Sequence, residues 1–136
     1  MIIKPEDGFD WEYEPDESPR RKHKWSRDEH GFVEQNGVVV AKCPDSLTNE
    51  KARELLNSGV GWRDEDWPHD HPNKIYGVYR GVVYRATPTI PGRSYHGFPE
   101  VPSRMPRKRE LQEAIIELAR NEGTEDEVRK WLKRRR

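Results

Sequence analysis

The sequence predicts an α+β fold: a small antiparallel sheet from two β-hairpins, with one intervening helix and two C-terminal helices. Three observations lead there. Two apolar strand-like runs are each split by a two-residue turn, at Asn36-Gly37 and Arg80-Gly81. A capped stretch of helical periodicity at 49–58 lies between them, and two more close the chain beyond a proline-rich connector. The 136 residues suit one domain by size, with 1–29 read as a charged, largely flexible N-terminal segment and 30–136 as a single α+β domain.

Along the chain, Pro5, Pro15 and Pro19 punctuate the polar first segment. Trp11, Tyr13 and Trp25 are costly in a solvated tail, so they either pack back on the domain or dock a partner. Phe32-Val33-Glu34-Gln35 and Val38-Val39-Val40-Ala41 then flank Asn36-Gly37, where a type I′ turn needs positive φ at both positions. Pro44 ends the second strand. Thr48 caps the helix at 49–58, with Leu47 placed to staple onto Ala52 and with Ala52, Leu55 and Leu56 on one face. Asn57-Ser58-Gly59 stops it.

A polar loop bearing tryptophan, 61–73, leads to the second hairpin, Ile75-Tyr76-Gly77-Val78-Tyr79 and Val82-Val83-Tyr84-Arg85-Ala86. Its second strand echoes the first hairpin, since residues 37–44 and 81–88 match at four of eight places and both end at proline. We read this as one supersecondary device used twice. The expectation is a four-stranded antiparallel sheet with the 49–58 helix on one face. From Thr87 to Pro99 the chain reads as a polar loop stiffened by Pro88, Pro91 and Pro99. Pro106 suits the first turn of a helix carrying the stripe Leu111, Ala114, Ile115, Leu118 and Ala119, which Gly123 ends. Thr124-Glu125-Asp126-Glu127 reads as a capping box for a last helix that turns Val128, Trp131 and Leu132 inward.

Only 32% of residues are hydrophobic and 37% are charged, so the core is small. The zero net charge hides an uneven distribution. Residues 1–18 hold seven acids against Lys4, a net of −6, while the last 34 hold eleven bases against seven acids, a net of +4. Part of the basic end complements helix dipoles. The single Cys43 excludes an internal disulfide and a multi-cysteine metal site, as suits a reducing compartment. No apolar run approaches the roughly 18 residues of a membrane span, and no signal-peptide pattern opens the chain, so a cytoplasmic protein without membrane contact is expected.

The stretch 85–100 concentrates Arg85, Thr87, Thr89, Arg93, Ser94, Tyr95 and His96, and is the expected binding surface, because sites ride on loops held by a scaffold. If the protein is an enzyme, His96 is the general base, Arg85 and Arg93 stabilise an anion and Tyr95 is a second proton carrier, as in a metal-independent nuclease. The competing reading is that His96 pins the turn before Gly97. His69-Asp70-His71 resembles a metal cluster by residue type but lacks further ligands at zinc-site spacing, so no metal is assigned. Cys43 with His30 is read as a structural thiol rather than a nucleophile. Tyr76, Tyr79, Tyr84 and Arg80 on the second hairpin could stack bases, and with Lys133-Arg134-Arg135-Arg136 they keep nucleic acid open as a partner.

Val83-Tyr84-Arg85-Ala86, followed by hydroxyls and prolines, resembles the first strand of the arginine class of ADP-ribosyltransferase toxins over some eight residues. The resemblance implies that Arg85 contacts a nicotinamide dinucleotide; Glu125 and Glu127 imitate the family's Glu-x-Glu pair but read as part of a helix cap, and its Ser-x-Ser strand is missing. From the residues themselves no cofactor is implied. The favoured expectation is a small binding or inhibitory module, of the kind used in bacterial and phage conflict systems, that engages a protein or anionic partner. The nuclease is the alternative, and the oligomeric state is not legible.

Overall fold

A computed structural model of the chain describes residues 2–3, 11–13, 31–35, 38–42 and 48–134, and shows one mixed six-stranded sheet with three helices. The strands are β1 (Ile2–Ile3), β2 (Glu12–Tyr13), β3 (Gly31–Gln35), β4 (Val38–Lys42), β5 (Val60–Trp62), β6 (Lys74–Tyr79), β7 (Val82–Ile90) and β8 (Ser94–Pro99). The helices are α1 (Asn49–Ser58), α2 (Arg109–Glu122) and α3 (Glu125–Leu132), with a 3₁₀ turn at Pro102–Arg104. The main sheet runs β1-β5-β6-β7-β8-β2, antiparallel throughout except for the parallel pair β2 and β8.

The α+β class stands, but the expected four-stranded sheet does not form. β3 and β4 pair only with each other as a separate ribbon, and β6 and β7 instead gain β5 and β8 as neighbours. β5 follows α1 after one residue and is only three residues long, too short for alternation to announce it. Within the 1–29 segment, β1 and β2 occupy the two edges of the sheet and Trp11 is buried. Trp25, His30, Asn36-Gly37, Cys43, Pro44, Leu47 and Arg135-Arg136 lie outside the described residues.

The 87–99 stretch is the larger correction: it is a β-hairpin, not a loop. Glu100 N–H donates to the Val83 carbonyl at 2.9 Å, marking a hydrogen-bonded pair across β7 and β8. Alternation then makes Arg85/Phe98 and Thr87/His96 hydrogen-bonded pairs, and Tyr84/Pro99 and Pro88/Tyr95 non-bonded ones. Each proline therefore turns its missing N–H away from the partner strand. Pro88 also lies beyond the last pair of β6 with β7, Ile75/Ala86, so no donor is called for on that side. Proline content thus disguised a strand.

Thr48 caps α1 as expected, its Oγ1 accepting from Lys51 N–H at 3.1 Å. Gly59 ends α1 with φ of −77°, so its role is spatial: a Cβ there would stand 2.5 Å from the Tyr76 carbonyl oxygen. Pro106 precedes α2 rather than opening it, and Gly123 terminates it with φ of 87°. The expected capping box is absent, because the Thr124 hydroxyl donates to Glu122 Oε1 at 2.7 Å instead of capping α3.

Successive residues of β6 face opposite sides, so each side of the sheet acquires its own core. On one, Leu111, Ile115, Ala119, Val128 and Trp131 of α2 and α3 pack on Trp62, Tyr76, Val78 and Val83. On the other, Ala52 and Leu56 of α1 meet Ile75, Tyr84, Ala86, Tyr95 and Trp11. Trp11 is tied to α1 by two bonds, its N–H to Asn57 Oδ1 at 2.7 Å and its carbonyl from Asn57 Nδ2 at 3.1 Å.

Candidate functional site

β7 and β8 project past the end of β6 and turn at Ile90-Pro91-Gly92-Arg93. Arg93 N–H donates to the Ile90 carbonyl at 3.0 Å and Gly92 has φ of 76°, as a type II turn requires of its third residue. Thr89 is the extra residue of a bulge, because Pro88 pairs with Tyr95 while Ile90 pairs with Ser94. The tip is therefore a type II turn flanked by a bulge.

Of the seven residues singled out from sequence, Ser94 and Tyr95 are buried against this tip, while Arg85 is packed further down the hairpin. Ser94 is fully buried and its Oγ accepts from Ile90 N–H at 3.3 Å. Tyr95 is fully buried, donates its hydroxyl to the Pro72 carbonyl at 2.6 Å and meets the Trp11 ring edge-on at 5.1 Å. Burial pushes that hydroxyl well above the ordinary tyrosine range, so it keeps its proton. Arg85 is 15% exposed, with Nε 3.5 Å from Oε2 of the fully buried Glu100 and its guanidinium 4.9 Å from the centre of the Phe98 ring. Its Nε is buried without a hydrogen bond.

The other four lie nearer solvent. His96 stands opposite Thr87 and its ring is held at both nitrogens, Nε2 lying 3.2 Å from Thr87 Oγ1 and Nδ1 2.9 Å from Thr89 Oγ1. A hydroxyl can donate or accept, so either tautomer is served. Arg93 is exposed at the turn, 3.6 Å from the Glu12 carboxylate. Beyond them Ile90 is 45% exposed, the large hydrophobic residue most open to solvent among those described.

No family model matches this chain, and neither does any curated protein or solved structure. The geometry must therefore carry the functional reading. Sequence reasoning missed Glu100 and took Tyr76 for a base-stacking ring, whereas the Tyr76 hydroxyl donates to Glu100 Oε2 at 3.4 Å while Val101 N–H donates to Oε1 at 2.9 Å. Desolvation raises the Glu100 carboxyl above its ordinary range, opposed by Arg85 and these donors. A lone glutamate after a proline gives no warning that it will be buried.

Several other candidates are also placed. Tyr76 and Tyr84 are buried in the two cores, so neither offers a ring to a stacking base. His69 and His71 stack with ring centres 5.2 Å apart, Trp67 packs edge-on against both, and no group of three or more candidate metal ligands occurs among the described residues. Glu125 sits at the start of α3 between Arg120 and Arg129, on a helix rather than on a strand beside Arg85. Among the described residues no helix is long and apolar enough to cross a membrane.

Proposed function

We propose that this protein is a binding module that presents the β7–β8 hairpin tip to a protein partner. The observation that carries the reading is an exposed isoleucine, Ile90, on a turn braced from both strands by Ser94, Tyr95 and the His96 clamp. A rigid apolar tip loses little conformational freedom on docking, which is how preorganised inhibitory loops gain affinity. Arg93 and Glu12 supply a charged rim, suited to orientation more than to affinity. A small inhibitor of a bacterial or phage conflict system would use such a tip. Arg85 then belongs to the scaffold, balancing Glu100.

The test is capture of a partner from an RNase-treated bacterial lysate, with the wild type and with Ile90→Asp. A protein retained by the wild type and lost from the variant, at unchanged melting temperature, supports the reading. Equal capture by both proteins overturns it. The nuclease alternative draws on His96, which shares a sheet face with Arg85 through the Thr87/His96 and Arg85/Phe98 pairs. It requires RNA cleavage that His96→Gln abolishes without loss of fold.

A further inference from the structure

Away from the hairpin, the 3₁₀ turn, the start of α2 and the end of α3 enclose a cavity of about 300 Å³, walled by Met105, Trp131 and Leu132 and rimmed by Arg107, Lys133 and Arg134. No carboxylate lines it. Elsewhere on the surface Lys51, Lys74, Arg93, Arg109, Arg120 and Arg129 each stand beside a glutamate or aspartate. Arg107, Lys133 and Arg134 have no such partner among the described residues, and all three side chains are exposed. The carbonyls ending α3 offset only roughly half an elementary charge, so three cations leave a positive excess that the neutral net charge conceals.

We infer that this corner binds a nucleotide unit, taken as a free mononucleotide or as part of a single strand. Arginine and lysine side chains are suited to phosphate oxygens, and three of them converge on one rim. The apolar wall gives a base or sugar a surface that a lone phosphate would leave wet, and the Gln112 amide adds a group able both to donate and to accept. Trp131 is 6% exposed, so it forms the floor of the cavity rather than a free stacking platform. The volume sits at the lower end of the roughly 300–1,000 Å³ of small-ligand pockets, more than the carboxylate of an acidic peptide would fill. Cations beside apolar surface, sought on the second hairpin where Tyr76 and Tyr84 are buried, are found here as well.

The test uses fluorescence anisotropy of the full chain with a labelled oligouridylate of roughly twelve nucleotides, within the site sizes of single-strand binders, and competition by UMP. Binding is expected to weaken steeply with salt and to fall at least tenfold in Arg107→Gln/Lys133→Gln/Arg134→Gln. The single charge reversal Arg107→Glu should give an intermediate loss. UMP that displaces the strand identifies a free nucleotide as sufficient, whereas UMP that does not compete assigns the site to a strand. Absence of binding to both probes, unchanged affinity in a triple variant with native circular dichroism, or an oligoglutamate peptide that binds as tightly as the oligonucleotide would each overturn the inference.

Discussion

Arg85 Nε lies 3.5 Å from Oε2 of Glu100, a carboxylate with no exposed side-chain surface. Such a pair adds little net stability against an apolar substitute, yet breaking it strands a charge. Arg85→Leu should therefore destabilise the fold by about 3–5 kcal/mol, as chemical denaturation would show. Because burial raises the folded-state value for Glu100, the folded protein holds that proton more tightly than the unfolded chain. Its contribution is fully present below the unfolded glutamate range and is lost as pH rises through the folded value. Glu100→Gln removes the loss, so its melting temperature relative to wild type should climb as pH rises from 4 towards neutrality. A flat difference would refute the assignment.

The His96 clamp makes a second prediction. Thr87→Val and Thr89→Val keep side-chain shape and delete one hydroxyl bond each, at a cost of about 1 kcal/mol apiece. The double variant should also release the ring nitrogens from these two hydroxyls, which NMR would record as a change in the His96 ring-proton shifts. If the proposed docking at Ile90 is correct, partner affinity falls with it. Affinity that survives the double variant would mean the bracing plays no part in binding.

Glu122 reaches from the end of α2 to the β6–β7 turn, where Oε2 accepts from Arg80 N–H and Oε1 from Gly81 N–H, both at 2.9 Å. Glu122→Ala should cost about 1 kcal/mol, since one of the two amides is partly buried. Arg80 has φ of 52°, a region that asparagine and glycine occupy more readily. Arg80→Asn should thus raise the melting temperature, by the equivalent of roughly 0.5 kcal/mol. A drop in Arg80→Asn would show that the arginine side chain outweighs the backbone term.

Close approach rather than backbone freedom explains Gly59. An added Cβ would meet Tyr76 O at 2.5 Å and Leu55 O at 2.9 Å, both backbone atoms that cannot swing aside. Gly59→Ala should therefore push α1 from β6 and cost about 1–3 kcal/mol, the range of overpacked cores. Stability within a few tenths of wild type would contradict the contact.

What the sequence made legible was local. Thr48 and Gly123 announced helix ends through capping chemistry that acts within one turn of chain, and the Leu111, Ile115 and Ala119 stripe marked a buried face by its period alone. What it hid was pairing partners. β8 looked like a loop because Pro99 and Gly97 are poor strand formers unless their neighbours excuse them, and only the register shows that Pro99 turns away from β7. At the candidate site, residue type pointed to the right stretch but not to direction. Ser94 and Tyr95 point inward, Thr87, Thr89 and His96 face one another, and Ile90, unremarkable as a residue type, became prominent only at the tip.

The histidine pair under the 61–73 loop predicts a pH dependence of the opposite sign to Glu100. His71 stacks on His69, and the Trp67 indole N–H donates to the His71 carbonyl at 2.9 Å. Its own Nε2 is buried without a partner. Desolvation, followed by the neighbouring His69, lowers the His71 value, outweighing the opposing pull of Asp70. The unfolded chain therefore takes up this proton first as pH falls, and the folded state loses stability below the ordinary histidine value of 6.5. His71→Gln keeps a polar side chain and removes the titration. Wild type should lose melting temperature between pH 7 and pH 5 relative to the variant, and Trp67 fluorescence should change over the same interval as the stack opens. Parallel curves for the two proteins would exclude His71 as the titrating group.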